Sequence, residues 1–362
     1  MLNADKKIMV SEKPFLNVLK GSKQASVPFW FMRQAGRYLP EYRELRAQKG
    51  GFLEMALDPV SACEVTLQPI RRFGMDAAII FSDILMIPYA LGQSLAFEKG
   101  EGPKLDPVRT NDELLRLSMD EFDARLQPVY DALKETRSAL KNEGFDHTAL
   151  IGFAGAPWTV ATYMIEGGGS KDFAETKKRA YGDPVFFKTL IDLLIDSTSR
   201  YLIAQVNAGA EALQIFDSWA GALDARQFKI WSIDPIAEIV RRVRTVHPDI
   251  PIIGFPKGAG LNYLSFVQET KIDAVGLDFS VPTAWAAKTL QPLLPVQGNL
   301  DPMCLLAGGK MLETSMLETS MLEILGDLSA GPFVFNLGHG IHKDTPVSHV
   351  EAMVKLVREY KA

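Results

Sequence analysis

Cysteine is scarce in this chain: two residues in 362, Cys63 and Cys304, neither with a partner at a meaningful spacing. That excludes a disulfide framework and fits buried thiols in a reducing cytoplasm. Positive charge is also in short supply. Lys and Arg number 39 against 44 Asp and Glu, a net charge of −5, with a pI near 5.7. Neither nucleic acid nor an anionic membrane is the partner such a surface suits. No apolar run reaches the ~18 residues of a membrane-crossing helix; the nearest, 77–91, is broken by Ser82, Asp83 and Pro88. The first residues carry Asp5, Lys6, Lys7, Glu12 and Lys13 without an apolar stretch between them, unlike a secretory signal. No interior linker rich in Gly, Pro or Ser divides the chain. What is present is 47% hydrophobic sequence, enough for a large core.

Short β-branched and aromatic runs predict strands at Pro28–Met32, Ala77–Phe81, Ala149–Phe153, Glu211–Phe216, Pro251–Phe255, Asp273–Leu277, Leu293–Gln297 and Pro332–Asn336. Helical periodicity fills the gaps. Asp58-Pro59, Asp183-Pro184, Asp234-Pro235 and Asp301-Pro302 each set an N-cap carboxylate before a first-turn proline. Alternating elements imply α/β architecture with a parallel sheet, and a count of eight strands favours a single (β/α)8 TIM barrel over an open, doubly wound sheet. Residues 1–26 read as an N-terminal helical arm, and 27–362 as the barrel catalytic domain. Met311-Leu312-Glu313-Thr314-Ser315 repeats at 316–320 and begins again at 321–323. A five-residue step advances a helix by about 140° beyond a full turn, so the repeat reads as a surface insertion and a poor core helix.

In a barrel the active site forms at the C-terminal strand ends. There the sequence sets Arg33 and Arg37, Ser82 and Asp83, Gly155 to Tyr163, Asp217 and Ser218, Lys257, Asp278, Asn299 and Asp301, then Gly338 and His339. The richest stretch is Arg33-Gln34-Ala35-Gly36-Arg37-Tyr38-Leu39-Pro40-Glu41, with two guanidinium groups four residues apart. Arginine forks grip carboxylates in pairs and stay charged, so this is a local anion trap; its duller role is a solvated loop paired with Glu41 and Glu44. Duller roles exist for the others too: Asp83 as a helix cap, Ser218 as a cap near Ala220, Tyr163 as a core residue. Two glycines around His339 permit close backbone approach and favour function. Gly167-Gly168-Gly169-Ser170-Lys171 lacks the phosphate-loop order, 254–260 is no dinucleotide fingerprint, and His339 with His342 lacks partners for zinc.

Together, Met32 to Glu41, Phe81-Ser82-Asp83-Ile84-Leu85, Gly155-Ala156-Pro157-Trp158-Thr159, Gln297-Gly298-Asn299-Leu300-Asp301-Pro302 and Asn336-Leu337-Gly338-His339-Gly340-Ile341 closely resemble the uroporphyrinogen decarboxylase family. The resemblance implies a (β/α)8 barrel, a cytoplasmic homodimer, and a carboxy-lyase of tetrapyrrole (haem) biosynthesis. It would convert the four acetates of uroporphyrinogen III to methyls without cofactor or metal, giving coproporphyrinogen III. Carried over by motif, Arg33, Gln34, Ala35, Gly36, Arg37, Asp83, Tyr163, Ser218 and His339 are substrate residues, and Asp83, Arg37, Tyr163 and His339 the catalytic candidates. The chemistry agrees. Eight substrate carboxylates require forked cations, and four inward pyrrole N–H groups require a central acceptor, which the two oxygens of Asp83 supply. The enzyme alternative is a zinc- or corrinoid-dependent methyltransferase of similar barrel fold, although no His-x-Cys pair occurs here. The non-enzymatic alternative is a tetrapyrrole carrier.

Overall fold

The computed structural model describes residues 12–98, 102–308 and 316–361. Its centre is a seven-stranded parallel sheet: β1 (Ala77–Ile79), β4 (Ala149–Gly155), β5 (Ala212–Asp217), β6 (Ile252–Pro256), β7 (Ala274–Gly276), β8 (Val296–Leu300) and β9 (Phe333–Leu337), neighbours in that order. Two further strands, β2 (Leu95–Glu98) and β3 (Gly102–Leu105), form an antiparallel hairpin that the sequence pattern does not announce. Every residue of β4, β6, β8 and β9 is buried, as expected of parallel strands sandwiched between side-chain layers. The sheet curls strongly. Gln297 Nε2 in β8 donates to Gln214 Oε1 in β5 at 3.1 Å, although three strand spacings, about 14 Å in a flat sheet, separate them. Trp30 Nε1 completes the chain by donating to Gln297 Oε1 at 2.8 Å.

The predicted first strand is corrected. Residues 28–32 make one parallel bridge, Phe29 to Phe335, and not a ladder. Pro28 has no N–H to give, the Phe31 N–H goes to Gln34 Oε1, and the Met32 N–H goes to Asn336 Oδ1. The segment is nonetheless held on both sides: Trp30 N donates to Phe335 O, Phe335 N to Pro28 O, and Asp76 N to Phe29 O. The predicted strand at 293–297 also moves, to 296–300, since Pro295 has no N–H to donate to a ladder and Leu293 is exposed. Of the four Asp-Pro helix starts, Asp183 and Asp301 cap the backbone N–H groups of Phe186 and Met303. Asp58 instead accepts from Ser61 and Lys49, and Asp234 sits inside a continuous helical run. Before the sheet, the short helix Pro14–Leu19 buries Phe15, Leu16, Val18 and Leu19, and Lys13 pairs with Glu211 at 2.7 Å. No helix among the described residues is long and apolar enough to cross a membrane.

The repeat is a second correction. Its first copy lies outside the described residues, but the second and third belong to a helix, Met316–Leu328, that packs into the core through Leu317, Met321, Ile324, Leu325 and Leu328. The Leu of one copy stands four residues before the Met of the next, so successive copies share one face even though each Met-Leu pair rotates away from the last. Met321→Ala should therefore destabilise the fold by about 2–4 kcal/mol in urea denaturation. Leu322→Ala, at a position 45% exposed, should change stability by less than about 0.5 kcal/mol. Equal effects would return the helix to the surface.

Candidate active site

The polar residues predicted at the strand ends gather at the C-terminal edge of the sheet. Asp83 follows β1. One of its oxygens, Oδ1, accepts the Leu85 N–H at 2.9 Å, and no described residue hydrogen-bonds the other. The contact is a local turn and not a helix cap, since Met86–Ala90 begins without a side-chain cap. Asp83 is half-buried as a residue, and burial is the main influence on its carboxyl, pushing its pKa above the ordinary range while the Leu85 N–H and the Arg33 charge pull it down. The Tyr201 hydroxyl approaches Ser82 Oγ at 3.5 Å and is itself raised by burial.

Arg33 is set by backbone and by glycine. Its φ of 61° is left-handed, a costly conformation for a side chain with a Cβ. The strain turns it over Gly340, where a Cβ would meet Arg33 Cδ at 2.4 Å. Gly338 does the same for Phe279, whose backbone N would stand 2.3 Å from an added Cβ. Ile341 N donates to Met32 O, fastening the two motifs together. From this position Arg33 influences Asp83, Tyr163, Lys257 and His339 at once. Arg37 is exposed and acts on Tyr42 and Asp344 instead, nearer the rim. Gln34 is wholly buried, its amide bound to Ala77 O and Phe31 N, so its side chain locks the loop. Ala35 and Gly36 are half-buried in the same loop.

Tyr163 is half-buried, with its ring 6.1 Å from that of Trp219; burial and then the Asp83 charge raise its phenol. Ser218 is half-buried and caps nothing: the turn Ala220–Ala222 begins without a side-chain cap. His339 is half-buried, and burial, with the Lys257 and Arg33 charges, lowers its pKa to about 3. It is a neutral imidazole near neutral pH.

Trp219 and Lys257 escaped the sequence reasoning as site residues, although Lys257 stands in the strand-end ring. Trp219 is fixed from below: Thr159 Oγ1 accepts its N–H at 3.1 Å and donates to Asp217 at 2.6 Å, while Ser232 donates to the other Asp217 oxygen at 2.6 Å. Among the described residues no group of three or more His, Cys, Asp and Glu converges as metal ligands do.

Burial raises Asp217 to about 6, partly offset by its two hydroxyl partners. Its folded pKa thus exceeds the unfolded value, so the associated stability is complete below about pH 4 and lost as pH rises through 6. Wild-type stability should fall relative to Asp217→Asn across that window, by up to about 3 kcal/mol. Parallel denaturation curves from pH 4 to 7 would show that Asp217 titrates normally.

A family model described as Uroporphyrinogen decarboxylase (URO-D) matches residues 10–360. Relatives named uroporphyrinogen decarboxylase include one from Rhodospirillum rubrum, 52% identical over 348 residues, covering 96% of this chain and 97% of the relative. Another, from Rhizorhabdus wittichii, is 53% identical over 346 residues, covering 96% and 97%. Among solved structures, a methyltransferase from Methanosarcina mazei superposes with a TM-score of 0.75 at 18% identity, covering 96% of this chain and 97% of its own, a likeness of fold alone. With the family match spanning nearly the whole length, the chain belongs to the uroporphyrinogen decarboxylase family.

Proposed function

We propose that the C-terminal edge of the sheet binds uroporphyrinogen with Asp83 facing the ring centre and Arg33 and Arg37 on the carboxylate rim. The reaction is that of the family: decarboxylation of uroporphyrinogen in tetrapyrrole biosynthesis, a carboxy-lyase activity. Asp83 carries the proposal for the site. It is a desolvated carboxylate with one oxygen uncommitted, in a setting where negative charge has its greatest electrostatic worth.

The substrate serves as its own electron sink. A proton adds to the pyrrole ring carbon beside the one bearing an acetate, giving a ring cation that Asp83 stabilises. The bond to the carboxylate carbon then breaks, CO2 departs, and its electron pair neutralises the cation as an exocyclic methylene. A second proton turns the methylene into methyl, and loss of the first restores the pyrrole, for a net uptake of one proton per CO2. His339 is neutral and Tyr163 a weakened acid, so both orient substrate carboxylates in company with Ser218. The proton arrives from solvent or a substrate carboxyl, relayed at Arg37, whose own guanidinium holds its proton too firmly to donate it. Gln34, Ala35 and Gly36 shape the loop around this grip. Around the site, residues 28–32 close the sheet as the eighth member of a (β/α)8 barrel, with 12–26, the described part of the 1–26 segment, as its arm; the hydrogen bonds between 28–30 and both Phe335 and Asp76 support this. The chain works as a cytoplasmic homodimer, as the family resemblance implies.

Anaerobic incubation with uroporphyrinogen should release CO2 and yield a four-carboxylate product; binding without release would make the protein a carrier. Asp83→Asn should lower kcat by at least about 100-fold. The acid limb of the wild-type rate profile should lie above the ordinary carboxylate pKa, because activity is lost as Asp83 protonates; near-wild-type turnover in the variant would remove Asp83 from the chemistry. Arg37→Lys, which keeps charge but loses the fork, should reduce kcat/KM by about tenfold or more. A fully active lysine variant would reduce Arg37 to a diffuse charge.

A further inference from the structure

We propose that Lys257 is a further carboxylate ligand for the substrate, a third cation beside Arg33 and Arg37 on the acidic rim, an assignment that rests on the decarboxylase reading of the site. Lys257 leaves β6 at the C-terminal edge and is half-buried. Its ammonium lies 5.7 Å from the centre of the Trp219 ring, and no described residue gives it a hydrogen bond or ion pair. Half-buried lysines normally find a counter-charge. The acidic group acting on it is Asp278, and that carboxylate is already saturated. One oxygen accepts from the Gly258 N–H at 2.7 Å and the Tyr263 hydroxyl at 3.0 Å; the other accepts from the Ser280 N–H and hydroxyl at 2.9 and 2.5 Å.

The backbone of Lys257 is held as firmly as its side chain is free. Its N–H donates to Asp217 O at 3.1 Å, and its carbonyl accepts from Gly221 N at 3.0 Å. Gly221 can approach because it has no side chain: a Cβ there would stand 2.6 Å from Gly258 O. The ammonium also raises the local positive potential. It and Arg33 both depress His339, and Arg33 in turn disfavours the charge on Lys257. Two cations within mutual electrostatic reach, neither with an ion pair among the described residues, repel each other until an anion arrives between them. A substrate carrying eight carboxylates supplies that anion, and the pre-positioned lysine binds it without first giving up a partner.

The decisive measurement is steady-state turnover of uroporphyrinogen by Lys257→Met and Lys257→Arg, with Tm for each. The methionine variant keeps the apolar contact with Trp219 but loses the charge. Its KM should rise about 10- to 100-fold with kcat little changed, and its Tm should equal or exceed that of wild type. Lys257→Arg should recover most of the lost affinity. An unchanged KM in the methionine variant, beside active wild type, overturns the assignment and leaves the decarboxylase reading intact. A lowered Tm with no recovery by arginine also overturns it, making the residue a packing element. Wild type that releases no CO2 would instead bring down the underlying reading.

Discussion

The join between residues 28–33 and 335–341 is the constraint on which the site depends. Five contacts make it: Trp30 N to Phe335 O, Phe335 N to Pro28 O, Met32 N to Asn336 Oδ1, Ile341 N to Met32 O, and Arg33 laid across Gly340. Each is modest alone, since a typical internal hydrogen bond nets about 1 kcal/mol. Together they overcome the left-handed backbone at Arg33 and fix where its guanidinium points. That one side chain then adds its charge to the fields at Asp83, Tyr163, Lys257 and His339, all of which are shifted mainly by burial.

The balance is deliberately unfinished. Asp83 is desolvated with one oxygen uncommitted, and Lys257 is an ammonium with no ion pair among the described residues. By contrast, the carboxylates that only build structure are fully occupied, Asp217 by two hydroxyls and Asp278 by four donors. Occupied charges hold the frame, and the open ones are those proposed to meet the ligand. This division between saturated and unsaturated groups of the same chemical type marks the active edge of the sheet more sharply than any single residue does.

Much of this was legible in the sequence because period and punctuation are local. Seven of the predicted strand positions hold a strand, at shifted ends in the case of 296–300, and all seven join one parallel sheet. The failures share a cause. The run 28–32 has strand composition, but its N–H groups are claimed by side chains of Gln34 and Asn336, a choice made by tertiary contact. Gln34 looked like part of the anion grip, yet its amide is spent on the core. The repeat looked superficial because each pair was followed around the axis by itself, whereas burial selects the Leu-to-Met step between copies. Lys257 gave no local signal beyond its place after a strand. Its significance appears only once Asp278 is seen to be occupied.

The same join has a consequence for how the protein comes into being. The anion grip is assembled from the beginning and the far end of the polypeptide, with Pro28 and Phe335 in direct contact. Because distant contacts form late and local ones early, a ribosome-bound chain still missing its last strand would already carry most of its helices and sheet. It would lack a settled Arg33, whose backbone and side chain are fixed by the 335–341 stretch. Arg33 is therefore set in place only once two segments about 300 residues apart in sequence have met.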